Sequence, residues 1–420
     1  MAVGAGLSAS FGIATETTVG TPVPVTRFFE FDSETLSMKK HTAQGVGLRQ
    51  GALTKRGARR ILTGREAGGD VSLDVVTNGF GLLLQHMLGS FSATATSVGG
   101  GLYQQVHNIG ALNGKSFTAQ VVDPDTSGVL TQEAFTYPGC KVTEWELSVA
   151  AGAQAKLKVQ IDALDEATPS NAFASTTLSS LAAVGATSIS TVASIPAGSY
   201  VTLDSYANSE VVQTSGVSGA GPYVSTLVAP TKVAHATGVY AGSATGVNYG
   251  AATALQTASY NSTSNLFSFV YGGIFTGGTT ATTGGLYTNT GGTKVGSVRN
   301  FTLTGKNSVK ADRWQLGFTT RSEQIENNFR EYTASMEIDY NGRAFYDAYA
   351  AEVPLVVQLQ FTTPTGAALS FYMPYGQQND GASPEVAGPD VISQKLAFEF
   401  LDDGTNGAIQ AVYTSTDSTV

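Results

Sequence analysis

The stretch SLDVVTNG at residues 72–79 decides the fold, because SMEIDYNG at residues 335–342 repeats its pattern 263 residues later. Both stretches alternate apolar and polar residues, as a half-buried strand does, and both run through Asn-Gly into a helical pattern. A repeated unit predicts two similar folds in one polypeptide and a pseudo-symmetric surface for assembly. The sequence therefore favours a building block over an enzyme.

Composition narrows the class of protein. The chain has 420 residues, of which 42% are apolar, so it can bury large cores and is not disordered as a whole. Only 13% of residues are charged and 49 are glycine, which favours β-rich structure. The net charge of −9 is not typical of a nucleic-acid binder.

Cysteine content and hydropathy indicate the cellular compartment in which the chain is made. Cys140 is the only cysteine, so no intrachain disulfide and no cysteine-based metal cluster is expected. The N-terminal residues lack the pattern of a secretory signal, and no apolar stretch approaches ~18 residues. We expect a protein made in a reducing cytoplasm, with no membrane insertion.

Residues 1–167 form the first predicted unit. Strands are predicted over residues 27–36 and around residues 71–75, and Thr77 or Asn78 then begins a helix. The glycine at position 89 ends this helix. Its predicted packing face has the spacing of one helical stripe and consists of Phe80, Leu83, Leu84, Met87 and Leu88.

Residues 260–420 form the second unit and repeat that order of elements. A helix from Asn341 is predicted to turn Phe345, Ala348 and Tyr349 inward before Pro354 ends it. The Gly/Thr-rich residues 276–294 are predicted to be a mobile loop.

Residues 168–259 between the two units have another character. Their only charged residues are Asp204, Glu210 and Lys232. Short runs that alternate apolar and polar residues are separated by Gly, Pro and Asn turns. Sustained alternation favours an inserted small all-β domain over a linker.

Motifs for chemistry are missing. The four histidines have no paired metal-ligand spacing, and residues 110–116 are one residue short of a phosphate loop. Residues 123–128 begin like a calcium loop, but Ala134 stands at its bidentate position, so a hairpin turn is the better interpretation. We predict no catalytic residue, no metal site and no cofactor.

One segment, residues 38–65, stands out by its charge, since it has eight cations and no acidic residue. A solvated basic loop and a nucleic-acid patch are two interpretations, but no stacking aromatics accompany the cations. We favour a docking arm that meets an acidic surface on a neighbouring copy. Its cations are Lys39, Lys40, Arg49, Lys55, Arg56, Arg59, Arg60 and Arg65.

Four stretches together resemble a known family, the major tail tube proteins of long, non-contractile-tailed phages (siphophages). They are FGIATETTVGTPVPVTRFFEF at residues 11–31, YPGCKV at 137–142, MEIDYNGRAFYDAY at 336–349 and VISQKLAFEFLDD at 391–403. The middle segment resembles small β modules inserted into phage structural proteins.

The resemblance implies a mainly β fold. It consists of two tandem tail-tube-type β-sandwich or barrel units, each with one flanking helix, plus the inserted all-β domain. Family rings contain six such folds joined into a closed barrel, so a chain with two folds implies a pseudo-sixfold trimer in place of the family's usual hexamer.

The implied function is structural. Rings would stack head to tail into the tail tube, with the cationic segment as an inter-ring docking arm and an acidic lumen through which DNA passes without specific binding. The implied partners are further copies of the chain, the tape-measure protein and the tail terminator and tip proteins. The implied location is the virion tail, assembled in the host cytoplasm, with the middle module outside.

Two alternatives remain. One is another β-rich virion protein, an adhesin or decoration protein with exposed aromatic sugar platforms. The other is a polysaccharide-degrading tail enzyme, which needs two carboxylates facing each other across a groove.

Overall fold

The computed structural model describes residues 6, 9–123, 133–167, 175–204, 208, 210–243, 258–380, 383–386 and 388–420. Antiparallel strands dominate this part of the chain, with two α-helices, which confirms the mainly β fold class. The turn expected at residues 123–128 lies almost entirely outside the described residues.

The elements before the middle segment are β1 (Ser10–Thr15), β2 (Arg27–Phe29), β3 (Phe31–Glu34), β4 (Ser37–Gln44), β5 (Arg60–Asp74), α1 (Gly81–Leu88), β6 (Ala95–Gly99), β7 (Leu102–Asn108), β8 (Phe117–Asp123), β9 (Glu133–Ala150) and β10 (Lys156–Ala163). The middle segment contains β11 (Thr176–Thr177), β12 (Ser188–Thr191), β13 (Tyr200–Leu203), β14 (Glu210–Ser218), β15 (Tyr223–Leu227) and β16 (Tyr240–Ser243). The last part contains β17 (Gly272–Thr276), β18 (Thr279–Thr283), β19 (Leu286–Thr290), β20 (Thr293–Lys294), β21 (Val298–Lys306), β22 (Val309–Lys310), β23 (Ile325–Glu326), β24 (Glu331–Asp339), α2 (Ala344–Ala350), β25 (Leu355–Thr362), β26 (Ala368–Asp380), β27 (Ser393–Phe400) and β28 (Gln410–Ser415).

The same series of strand pairings occurs twice. In the first part β1 pairs with β2 and β8, and the ladder continues through β9, β10 and β5 to β3. In the last part β17 pairs with β20 and β25, and the ladder continues through β26, β27 and β24 to β21. A helix follows β5 in the first part and β24 in the last.

The registers of the two series also correspond. Lys156 on β10 lies opposite Asp74 on β5, and Lys395 on β27 lies opposite Glu337 on β24. Asp74 and Glu337 are 263 residues apart, the same offset as in the repeated stretches of sequence. A register shift of one residue would turn every side chain of a strand to the other face of the sheet. Because the registers match, equivalent residues of the two parts lie on the same face.

Strand β21 joins the two parts, because residues 300–306 pair with residues 150–144 of β9. Six neighbouring strands therefore run across the molecule in the order β5, β10, β9, β21, β24 and β27. Their inward residues belong to one continuous core, in which Trp145, Leu157, Leu303 and Phe398 are buried together with residues of β1 and β8.

Helix α1 has the predicted packing face. Phe80, directly before the helix, and Leu83, Leu84, Met87 and Leu88 within it are all buried in the core. The N-cap is Phe80 and not Thr77 or Asn78, whose side chains instead bond Asn265 and Thr416. Gly89 ends the helix at φ 79°, where a Cβ would collide with the Gly110 carbonyl.

Helix α2 begins at Ala344, three residues later than expected, and packs differently from the prediction. Phe345 and Tyr346 contact the core, Ala348 is half-buried, and Tyr349 is 37% exposed. The predicted inward position of Tyr349 is therefore wrong, because only the first turn of this short helix meets the core.

Two further expectations need correction. The predicted mobile loop at residues 276–294 contains the hairpin β18–β19, with Gly284 and Gly285 at positive φ in its turn and Tyr287 buried. Gly-Gly between β-branched runs is a hairpin signal that composition had obscured. The predicted strand at residues 27–36 divides into β2 and β3, with a register shift after Phe31.

Strands β11–β16 of the middle segment form a sheet of their own, in the order β11-β16-β13-β14-β15-β12. Leu178, Ile189, Val201 and Leu203 are part of a separate hydrophobic core. Across the described ranges, no strand of this sheet pairs with a strand outside it.

Candidate functional site: a polar sheet face and a cationic hairpin

The six neighbouring strands present one polar face. Alternate residues point into the core, so the residues between them lie side by side on the other face. The strand register aligns them in rows across both parts of the molecule. One such row consists of Ser72, Lys158, Glu146, Thr304, Thr333 and Glu399.

Acidic residues exceed basic ones on this polar face. Outside the area where Arg321 binds Glu66 and Asp162, eight acidic and five basic side chains give it a net charge of −3. The acidic residues are Asp70, Asp74, Glu144, Glu146, Glu331, Glu337, Asp339 and Glu399. The basic residues are Lys156, Lys158, Arg299, Lys306 and Lys395.

The cations of the polar face are held by neighbouring carboxylates. Lys158 Nζ lies 2.8 Å from Asp70, and Lys156 Nζ lies 2.6 Å from Asp32 and 2.7 Å from Asp74. Hydrogen bonds to these carboxylates raise the pKa of both lysines. Four of the five cations thus have a carboxylate within 4 Å, and Lys395 lies opposite Glu337. Such a face offers few free cations to a phosphate backbone.

The cationic segment forms a long hairpin. Strand β4 pairs with the first half of β5 from Ser37–Gly68 to Gln44–Arg60, and residues 45–59 connect them. In this connection Leu48 and Leu53 are fully exposed. Five cations at this end of the hairpin are exposed and form no ion pair with any residue that the structure describes. They are Arg49, Lys55, Arg56, Arg59 and Arg60.

The base of the hairpin is held within the chain. Arg65 Nη2 lies 2.9 Å from Asp165, and both side chains are largely buried. Arg65 therefore stabilises its own protomer and is not available to a neighbouring copy, contrary to the expectation from sequence. Lys39 and Lys40 remain exposed on β4.

Residues 307–330 connect β21 to β24 and cover part of the strands that precede the middle segment; we call them the covering segment. The buried Lys141 Nζ donates to Glu323 at 2.6 Å, to the Gln324 carbonyl at 2.6 Å and to the Leu112 carbonyl at 2.9 Å. Burial lowers the pKa of Lys141, and the contact with Glu323 opposes that shift.

A second buried ion pair fixes the covering segment. Arg321 donates to both carboxylate oxygens of Asp162, at 2.9 and 3.0 Å, and lies 3.2 Å from Glu66. Gln324 Nε2 also donates to Asp162, at 2.9 Å. Burial raises the pKa of Asp162, and the guanidinium of Arg321 counteracts this.

The covering segment also caps the end of helix α1. Arg330 Nη1 donates to the Leu88 carbonyl at 2.8 Å, and Asn307 Nδ2 donates to the Met87 carbonyl at 3.0 Å. These carbonyls are free at any helix C-terminus, where a cation is favourable. Sequence reasoning missed this segment, although the charge-rich run RSEQIENNFRE at residues 321–331 was a signal for it.

Two of the buried histidines, His86 and His107, are structural. Burial lowers the pKa of His86 to about 3 and that of His107 to about 4, so both are neutral. His86 Nε2 lies 2.9 Å from Thr15 Oγ1, and His107 Nδ1 lies 2.7 Å from Ser90 Oγ. In the described ranges no three or more His, Cys, Asp or Glu residues are grouped as metal ligands. Neither described helix has the length and apolar character needed to cross a membrane.

Comparison with known proteins gives one clear result. No curated protein matches the sequence. A family model described as phage tail tube protein matches residues 6–400, which is nearly the whole chain. This chain therefore belongs to the phage tail tube protein family and is a structural component of a phage tail.

Proposed function

We propose that this chain assembles into rings that stack as the hollow tube of a long, non-contractile phage tail, and that DNA passes through the lumen. The observation that carries the proposal is the junction between β9 and β21, which joins two sets of equivalent strands inside one chain. We interpret these sets as two tandem tail-tube folds, residues 1–167 and 260–420.

Each of the two strands that meet at this junction has a counterpart in the other part of the molecule. The counterpart of β21 is β3, which pairs only with β5 among the described strands. The counterpart of the second half of β9 is residues 377–380 of β26, whose strand pairing in the described ranges is with β27. Repeating the internal contact between copies places β26 of one chain beside β3 of the next.

This contact joins two different surfaces, so it closes into a ring when the rotation between copies fits. Pairing also removes the free strand edges, which otherwise favour aggregation. With six folds per ring, as the sequence resemblance implies, three chains complete a pseudo-sixfold ring. Hexameric rings with twelve folds are the alternative.

We assign the polar sheet face to the lumen. Phosphate contacts with cations dominate protein affinity for DNA, so a wall with paired cations and an acidic surplus lets DNA slide. No cofactor takes part in this function. The tape-measure protein would occupy the lumen during assembly in the host cytoplasm, and the terminator and tip proteins would meet the tube ends in the virion.

Residues 168–259 form a module that we place on the outside of the tube. Its separate sheet and core support this placement, because neither is needed to complete the strands of the ring. An independent module can project from the tube without altering the junctions.

Negative-stain microscopy of the purified protein, alone and with a tape-measure partner, tests the proposal. We expect hollow tubes with a regular axial repeat and threefold symmetry in rotational averages. Particles without a lumen in both preparations would contradict a tube protein of this kind and favour a decoration protein.

A further inference from the structure

The covering segment occupies a definite corner of the first repeat. Strand β10 ends at this corner, next to residues 139–142 of β9, and the loop before β8 lies beside them. Lys141 and Asp162 in the corner bind Glu323, Gln324 and Arg321 of the covering segment. We call this place the first corner.

The second repeat has an equivalent corner without a cover. Leu355, Gly376 and Phe400 lie side by side where β25 begins and β27 ends. Leu401 there is 42% exposed, and Glu352, Asp402 and Asp403 are exposed acidic residues around it. We call this place the second corner.

The hairpin formed by β4 and β5 is the counterpart of the covering segment, since it connects β3 to β5 as the covering segment connects β21 to β24. Within its own chain, the tip of the hairpin covers nothing in the described structure. The tip of the hairpin and the second corner are therefore both exposed, while their counterparts are in contact.

The repeat offsets identify which residues should meet. Extended from β24 into the covering segment, the strand offset of 263 matches Gln324 to Ile61, and the offset of 239 between β10 and β27, extended one residue beyond β27, matches Asp162 to Leu401. Gln324 and Asp162 are hydrogen-bonded, so Ile61 and Leu401 are the corresponding pair. Both are exposed apolar side chains, Ile61 at 61%.

A second pair follows in the same way. Glu323 corresponds to Arg60 by the same offset of 263. Lys141 corresponds to Tyr375, because Asp162 lies opposite Lys141 and its counterpart Leu401 donates its backbone N–H to the Tyr375 carbonyl. The ion pair Glu323–Lys141 is thus replaced by a cation and a half-buried aromatic ring, which also attract each other. The surrounding charges are complementary, since cations of the hairpin would face the three acidic residues in such a contact.

We propose that the cationic hairpin of one chain docks on the second corner of the next chain in the same ring. This inference rests on the proposed ring. The contact repeats the internal one, so it lies beside the β26–β3 junction and acts within a ring. It therefore differs from the inter-ring role expected from charge alone.

A cysteine pair tests the contact and its direction. In the double variant Ile61→Cys, Leu401→Cys, oxidation of assembled protein should link neighbouring chains, with each single variant as the control. Cys140 does not interfere, because it is buried and burial raises the pKa of its thiol well above its ordinary value. On a non-reducing gel, contacts within a ring give a ladder that stops at the number of chains in the ring.

The outcomes separate the two proposals. A ladder that continues beyond one ring would show docking between rings and overturn the inference. Intact tubes without cross-links would also overturn it and leave the tube function standing. If the protein forms no tubes under any condition, the proposed function itself fails.

Charge reversal gives a second test that does not need oxidation. Arg59→Glu with Arg60→Glu should raise the protein concentration needed for assembly by at least about tenfold, because like charges then face each other. Adding Glu352→Lys and Asp402→Lys should restore assembly in part, while Lys232→Glu in the middle module should have no effect. Rescue that fails although the variant is folded by circular dichroism would contradict the proposed contact.

Discussion

Replacing Arg321 by methionine should release the covering segment from the first corner. The Arg321 side chain is 2% exposed and donates two hydrogen bonds to Asp162, one to the Ala163 carbonyl and one to the Ala311 carbonyl. Removing one partner of a buried ion pair costs about 3–5 kcal/mol. Asp162 and Glu66 retain some contact with water, so we expect a loss of about 3 kcal/mol in the free energy of unfolding, at the lower end of that range.

The two tryptophans report this change separately. Trp314 lies in the covering segment, over Gly64 and beside His41, whereas Trp145 is buried in the core. In Arg321→Met the emission of Trp314 should shift to the red and its urea transition should move to lower concentration. The Trp145 transition should move less, because the core keeps its apolar contacts.

Arg343→Met is the matched control for this experiment. Arg343 pairs with Asp347 at 3.2 Å, but both side chains are exposed, so its loss costs about 0–1 kcal/mol. Equal shifts in the two variants would refute the idea that the Arg321–Asp162 pair holds the covering segment in place.

Three other predictions test different parts of the molecule. Because burial lowers the pKa of His86 to about 3, the unfolded chain binds a proton below about pH 6.5 and the folded chain does not, so stability falls as the pH drops through this window. His86→Gln should flatten this fall, measured as the urea midpoint between about pH 4 and 7, and an unchanged slope would assign it to other groups. Glu144→Lys with Glu146→Lys should leave tubes intact but make them retain short DNA at low salt in a co-sedimentation assay; tubes that still exclude DNA would place this face elsewhere. Replacing residues 168–257 by a flexible linker should give thinner tubes of unchanged lumen by microscopy, and loss of assembly would show that the module is part of the ring.

Local patterns in the sequence predicted the local features of the fold. Alternation located the end of β5, and the 3.6-residue spacing of Leu83, Leu84, Met87 and Leu88 located the buried face of α1. The offset of 263 residues between the two similar stretches of sequence recurs in the strand register at Asp74 and Glu337.

Contacts between distant residues could not be predicted from those patterns. Arg65 pairs with Asp165, 100 residues away, and Lys141 pairs with Glu323, 182 residues away. A charged residue does not indicate by itself whether its partner is in the same chain, in a neighbouring copy or in solvent. The exposed position of Tyr349 also depends on distant residues, since the core contacts Phe345 and Tyr346 at the start of α2 and leaves Tyr349 exposed.

Helical reconstruction of the assembled tube by electron cryomicroscopy tests the central claim most directly. We predict three chains per ring, with β26 of each chain paired to β3 of the next in the manner of the internal β9–β21 junction. A ring of six chains, or a ring closed through other edges, would contradict it.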